Sequence, residues 1–189
     1  RPIPNREQAI DLLLHGDLLQ LGQWANGIRQ QRHPNKQVTF VVDRNVNYTN
    51  VCESRCSFCA FYRDQQAPDA YLLDHAAILG KVAELVERGG TQLLMQGGLH
   101  PDLRIGYFED LFHLIKQRFP QVQNHSLSPA EVCHLADCEG LSIAETISRL
   151  KSAGLDSIPG GGAEILVDEV RQTISPRKIG WQRWGAVKI

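Results

Sequence analysis

Long hydrophobic runs are missing from this chain. Its longest apolar stretches are a few residues, as at Ile165-Leu166-Val167, whereas a helix that spans a bilayer needs about 20. A charge excess is missing as well: 20 Lys and Arg oppose 21 Asp and Glu, a net charge of −1. That balance offers no pull on nucleic acid or an anionic membrane, and neither is expected as a partner. Compositional bias is absent, since 42% hydrophobic and 22% charged residues argue against a disordered or fibrous chain. The first residues, Arg1-Pro2-Ile3-Pro4-Asn5, hold no apolar core followed by a small-residue cleavage site. A cytoplasmic protein is expected. Only five cysteines occur, and three of them crowd between Cys52 and Cys59. Such clustering suits metal ligation in a reducing compartment better than a disulfide framework.

What is present is a chain of 189 residues, enough for one compact domain and a sizeable core. Two short helices open it. Asn5 is a candidate N-cap for a stripe of Ile10, Leu13 and Leu14 that stops at Gly16. A second helix carries Leu21, Trp24, Ala25 and Ile28 on one face and ends before His33-Pro34. A strand–helix rhythm follows. Val38 to Val42, Gln92 to Met95, Val122 to Leu127 and Leu155 to Pro159 read as strands. Between them, Asp74 to Arg88 and Tyr107 to Pro120 read as helices. Ser128-Pro129-Ala130-Glu131 and Ser142-Ile143-Ala144-Glu145 are capping boxes that open two more, and a last helix runs from about Val167 to Thr173.

Strands and helices alternating at roughly thirty-residue spacing predict parallel β/α units. Special residues follow each strand, which is where β/α barrels place their sites. A doubly wound open sheet shows the same local pattern. Four units cannot close a barrel of eight, and an open sheet would present edges and an unfilled interior, both aggregation hazards. The expected organisation is an N-terminal helical segment (1–36), a partial β/α barrel (37–178), and an atypical tail (179–189) read as a truncation or frameshift.

The chemistry concentrates in Asn47-Tyr48-Thr49-Asn50-Val51-Cys52-Glu53-Ser54-Arg55-Cys56-Ser57-Phe58-Cys59-Ala60-Phe61-Tyr62, a C-x3-C-x2-C spacing. Three soft thiolates this close can hold three corners of a four-iron cluster and leave the fourth iron open. Structural zinc is the competing reading, with Cys133, Cys138 or a histidine as a fourth ligand. Otherwise Cys133 and Cys138 read as packed thiols on a helix.

The segment resembles the radical S-adenosylmethionine (SAM) superfamily, whose signature is C-x3-C-x-aromatic-C. Further similarity lies in Gln96-Gly97-Gly98-Leu99-His100-Pro101, His125-Ser126-Leu127-Ser128-Pro129 and Pro159-Gly160-Gly161-Gly162-Ala163-Glu164-Ile165-Leu166. These motifs resemble the branch holding the radical enzymes of the futalosine route to menaquinone and the deazaflavin synthases. Within it, Val42-Asp43-Arg44-Asn45, Tyr62-Arg63 and Ile174-Ser175-Pro176-Arg177-Lys178 resemble the group that cyclises dehypoxanthinyl futalosine. The aminofutalosine synthase group shares the glycine triplet and is the nearer rival. Deazaflavin synthases are expected to carry threonine–alanine where this chain has Gly161-Gly162.

The resemblance implies the front four β/α units of a TIM-type barrel behind two helices, incomplete in this chain. It implies a 4Fe–4S cluster on Cys52, Cys56 and Cys59, and S-adenosylmethionine as second cofactor. The implied reaction is radical cyclisation of a nucleoside-derived small molecule, with electrons from a donor such as flavodoxin or ferredoxin. Phe58 is placed beside the adenine, and Gly97-Gly98 where the amino group of the cofactor binds. Glu164 is a candidate for a ribose hydroxyl or for catalysis. His125 is a candidate proton acceptor, because imidazole titrates near neutral pH; His100 and Asp43 are weaker candidates. Loop packing would explain Phe58 as well, a plain βα turn the two glycines, a solvated carboxylate Glu164, and a hydrogen-bonded core histidine His125. The sequence does not disclose the oligomeric state. A reading from a different class is a cluster-binding fragment without catalysis.

Overall fold

The computed structural model describes residues 4–35 and 37–188. Arg1 to Ile3, part of the stretch expected to lack a signal peptide, lie outside the described residues, as do Lys36 and Ile189 at the edges of the expected segments. The chain forms two compact units, 1–40 and 41–189.

The first unit holds α1 (Arg6–His15) and α2 (Leu18–Arg32). Asn5 caps α1 reciprocally with Gln8, and Gly16 ends it. Asp17 caps α2, which stops at His33 ahead of Pro34. No residue of either helix is buried, and Leu13 is 85% exposed. The apolar stripes read from the sequence are real, but they cover no core.

The second unit is built on three parallel strands in the order β1 (Asp43–Asn47), β2 (Gln92–Gln96), β3 (Gln123–Ser126). Helices α3 (His75–Glu87), α4 (Ile105–Arg118), α5 (Pro129–Glu139) and α6 (Ile143–Ala153) alternate with and follow the strands. Strand order that follows chain order is that of a barrel wall; a doubly wound sheet reverses direction near its first strand. The sheet does not close on itself among the described residues. One face is apolar: Val46, Leu93 and Met95 are buried with Ile78, Val82 and Leu85 of α3 and with Phe108, Leu111, Phe112 and Ile115 of α4. The opposite face is polar except for Leu94. The register sets Asn45 beside Leu94 and His125, and Asn47 beside Gln96.

Two strand expectations are corrected. The first strand is not Val38 to Val42 but the polar run Asp43–Asn47. Val38, Phe40 and Val41 are exposed, while Val46 alone on that strand reaches the core. β-branched content describes fit to a half-buried surface, and the pairing with β2 selects the strand instead. The fourth strand is reduced to one parallel bridge, His125 to Ser157. Three backbone bonds hold it to β3, from Ser126 N–H to Ser157 O (3.0 Å) and from Asp156 and Ser157 N–H to Asn124 O (3.0 and 3.3 Å), while the Asp156 carboxylate takes the Asn124 N–H (2.6 Å) and the Lys116 ammonium (2.5 Å). Pro159 then has no N–H to extend a ladder.

Beyond the bridge lie α7 (Asp168–Ile174) and α8 (Trp181–Lys188). The stretch whose rhythm the sequence could not continue is therefore helical, with Val187 buried and Arg183 paired to Asp137 of α5 at 2.7 Å. Arg171 on α7 is 3% exposed. Its guanidinium donates to the carbonyls of Gly162, Ala163, Ile165 and Ile179 at 2.6–3.1 Å. This fork gathers the glycine-rich loop onto one cation. Arg171→Met orphans these carbonyls, and we expect a loss of about 3 kcal/mol in urea unfolding. Limited proteolysis should then cut first between residues 160 and 166.

Candidate active site

Parallel strands put their C-terminal ends together, so the loops after β1, β2 and β3 meet at one rim. There the cysteine loop is sewn to its neighbours by backbone hydrogen bonds. Gly98 N–H donates to Thr49 O (3.1 Å), Glu53 N–H to Leu99 O (3.0 Å) and Cys52 N–H to Arg63 O (3.1 Å). Ser57 N–H reaches the carbonyl of Ile174 at 2.8 Å, which ties the loop to the end of α7. Cys59 N–H closes a turn on Cys56 O at 3.1 Å.

These loops surround a cavity of about 550 Å³. Cys52, Cys56, Cys59, Phe58, Gly97, Gly98 and Glu164 all line it. The three cysteines are free thiols. Leu99 N–H donates to Cys52 Sγ, and Ser54 Oγ lies beside Cys56 Sγ, both at 3.3 Å; bonds of this kind orient metal ligands. Among the described residues no group of three His, Cys, Asp or Glu is set to hold a metal ion. The donor set nonetheless fits an iron–sulfur cluster: three thiols from one loop on one cavity wall. A fourth cysteine ligand for zinc is not at hand. Cys133 is buried on α5 against the Arg183 carbonyl, and Cys138 lies 3.7 Å from His134.

The Gly97-Gly98 turn has no room for side chains. A Cβ on Gly97 would stand 2.6 Å from the Tyr48 ring, and one on Gly98 would strike the carbonyl oxygen of Val51. Beneath the turn lies Glu131, which sequence reasoning registered only as the partner of the Ser128 cap. It is 3% exposed. Its Oε1 accepts the Tyr48 hydroxyl (2.8 Å) and Gly97 N–H (3.0 Å), and its Oε2 accepts Ser128 N–H (2.7 Å). Burial pushes its carboxyl up to about 7, against the pull of those hydrogen bonds. Burial, with the neighbouring Glu131, also raises Tyr48 well above the ordinary phenol range.

A raised carboxyl stabilises the fold while protonated, fully below pH 4.5, and that contribution is lost as pH climbs through 7. Between pH 5 and pH 8 the chain should lose roughly 2–3 kcal/mol relative to Glu131→Gln. Urea midpoints at both pH values measure this.

Glu164 is an ion-paired carboxylate: Lys178 Nζ contacts its Oε1 at 2.8 Å and lies 5.8 Å over the Phe58 ring. Lys178 also lines the cavity. His125 is not among the lining residues; its Nδ1 meets Ser157 Oγ at 2.7 Å. Burial, then Lys188, lowers its pKa while Asp43 opposes them. Asp43 lies outside the cavity wall too. His100 is 8% exposed and takes the Asp102 N–H at 3.1 Å. Asn45, Asn47, Tyr48 and Lys178 stand in the sequence only within the resembling motifs, with no role of their own assigned there.

Residues 46–188 match the radical SAM superfamily, three quarters of the chain and all three loop cysteines. The chain belongs to the radical SAM superfamily. Among curated relatives it is 48% identical over 178 residues to a cyclic dehypoxanthine futalosine synthase of Halalkalibacterium halodurans, covering 94% of this chain and 48% of that protein. A namesake from Streptomyces coelicolor is 42% identical over 181 residues, covering 94% and 45%. A 5-amino-6-(D-ribitylamino)uracil–L-tyrosine 4-hydroxyphenyl transferase of Cyanothece sp. is 45% identical over 186 residues, covering 94% and 49%. The chain spans about half the length of the curated relatives it matches. In fold it is similar to methylornithine synthase, with a TM-score of 0.65 at 14% identity over 98% of this chain and 48% of that one. The α/β architecture, three parallel strands that do not close among the described residues, is shared with that structure, and the superfamily follows from the match over residues 46–188.

Proposed function

We propose that this radical SAM chain carries the cluster and cofactor site of an enzyme that cyclises dehypoxanthine futalosine on the way to menaquinone. The observation that supports it is the gathering of Cys52, Cys56, Cys59, Phe58 and Gly97-Gly98 on one cavity wall, in a chain 48% identical to a synthase of that name. When bound, a 4Fe–4S cluster and S-adenosylmethionine supply a 5′-deoxyadenosyl radical for hydrogen abstraction. Cys52, Cys56 and Cys59 hold the cluster. Gly97-Gly98 takes the amino group of the cofactor, and Phe58 flanks its adenine. Lys178, paired to Glu164, lines the same cavity beside Phe58, and fixed orientation of the reactants there supplies much of the rate. His125 serves as proton acceptor from the sheet face, and Glu164 as a substrate-side carboxylate. A bound cluster would call for a one-electron donor of the flavodoxin or ferredoxin type as partner. We place the enzyme in the cytoplasm, a reducing compartment that keeps clustered free thiols available for a metal.

The Cyanothece relative supports a second reading, a transferase acting on a ribitylaminouracil. Anaerobic reconstitution with iron and sulfide, then dithionite and S-adenosylmethionine, tests the class: 5′-deoxyadenosine is the expected product. Adding dehypoxanthine futalosine, or instead the ribitylaminouracil with tyrosine, separates the two readings by the substrate consumed. A chain that fills with cluster yet cleaves no S-adenosylmethionine supports a cluster-binding fragment without catalysis.

A further inference from the structure

Glu131 is the most deeply buried carboxylate of the cavity wall, and its hydrogen bonds join three elements. Its partners are the Tyr48 hydroxyl at the end of β1, the Gly97 N–H after β2, and the Ser128 N–H that opens α5. A capping box requires only the last of these. The other oxygen is used across the fold, on a tyrosine 83 residues away in sequence. None of the three partners is cationic, and among the described residues Glu131 enters no ion pair. It sits in the first turn of α5, at the positive end of that helix, and His100 and His134 share a small pocket with it without bonding to it. A buried carboxylate without a counter-charge is costly, and burial outweighs its hydrogen bonds here. The side left for a cation is the cavity, which Glu131 lines together with Gly97 and Gly98.

We propose that Glu131 is a positioning residue that fixes the Gly97-Gly98 turn and supplies the negative charge behind it for a cationic amine ligand. This rests on the reading that the turn takes the amino group of S-adenosylmethionine. The carboxylate acts through the Gly97 peptide, whose N–H it holds at 3.0 Å. Tyr48 supports the turn from below, its ring under Gly97 and its hydroxyl 2.8 Å from Glu131. An ammonium group at the turn then meets backbone carbonyls held in place and a negative charge one peptide away. A ligand lacking the amino group gains nothing from that charge.

The test is equilibrium dialysis of the reconstituted chain against two probes, S-adenosylmethionine and 5′-methylthioadenosine, which lacks the aminocarboxypropyl arm. Glu131→Gln should weaken S-adenosylmethionine roughly tenfold and leave 5′-methylthioadenosine within about twofold. Tyr48→Phe keeps the charge and should keep the preference within about twofold, although it lowers the melting temperature. Equal weakening of both probes by Glu131→Gln, or loss of the preference in Tyr48→Phe, overturns the proposal. Should Glu131→Gln fail to fold, Glu131→Asp moves the charge back by one methylene and is expected to cut the preference about threefold; an unchanged preference overturns the proposal. A wild-type chain that binds 5′-methylthioadenosine with no preference for the amino-bearing probe overturns the proposal alone. One that binds neither overturns the reading of the cavity as well.

Discussion

Replacing Cys52, Cys56 and Cys59 together by alanine abolishes iron binding by the reconstituted chain. The three thiols are the only cysteines on the cavity wall. The remaining two are engaged on α5, with Cys133 against the Arg183 carbonyl. No substitute set is therefore within reach of an assembling cluster. The fold should survive the change. The loop is held by main-chain bonds, such as Cys52 N–H to Arg63 O at 3.1 Å, which alanine keeps. Only Cys56 is buried, and losing one sulfur there costs about 1 kcal/mol. Iron per chain and the visible charge-transfer band measure the result. A triple variant with a full complement of iron would show that the cluster is held elsewhere.

Gly98→Ala produces the second large effect, by a steric route. The new methyl strikes the Val51 carbonyl oxygen and would stand 2.7 Å from Cys52 Cβ. Neither neighbour is the free end of a flexible side chain. The turn after β2 and the cysteine loop must separate, which breaks the Gly98 N–H to Thr49 O bond and moves Cys52. We expect a destabilisation of about 1–3 kcal/mol and at least a tenfold fall in cluster occupancy at equal protein folded. Urea unfolding of the apo chain and iron content of the reconstituted chain report the two parts separately. A variant with wild-type iron content would show that the loop yields more easily than its contacts imply.

All the helices but α8 were legible in the sequence because their signals are local. Asn5, Asp74, Ser128 and Ser142 each cap the helix that follows, and Gly154 ends α6 in the left-handed conformation. The stripe Ile78, Val82, Leu85 is buried as its spacing implies. Strands were less legible, since a partner chosen dozens of residues away decides them. Val38 to Val42 has the composition of a strand, yet Asp43–Asn47 holds the register with β2. At the site, the spacing of Cys52, Cys56 and Cys59 carried the chemistry, and the glycines after β2 marked a close approach. Glu131 and Lys178 were not legible as site residues. Their partners, Tyr48 and Glu164, are joined to them only by the folded chain. Arg171 was invisible for the same reason, since its partners are carbonyls that every residue type possesses.

The sheet face opposite the helices carries Asp43, Asn45, Asn47, Gln96 and His125. Carboxamides and a carboxylate keep their hydration shell, so two such faces gain little from expelling the water between them. Apart from Leu94, this face therefore offers little apolar area for a second copy to bury. Its short polar first strand offers a poor template for edge-to-edge growth.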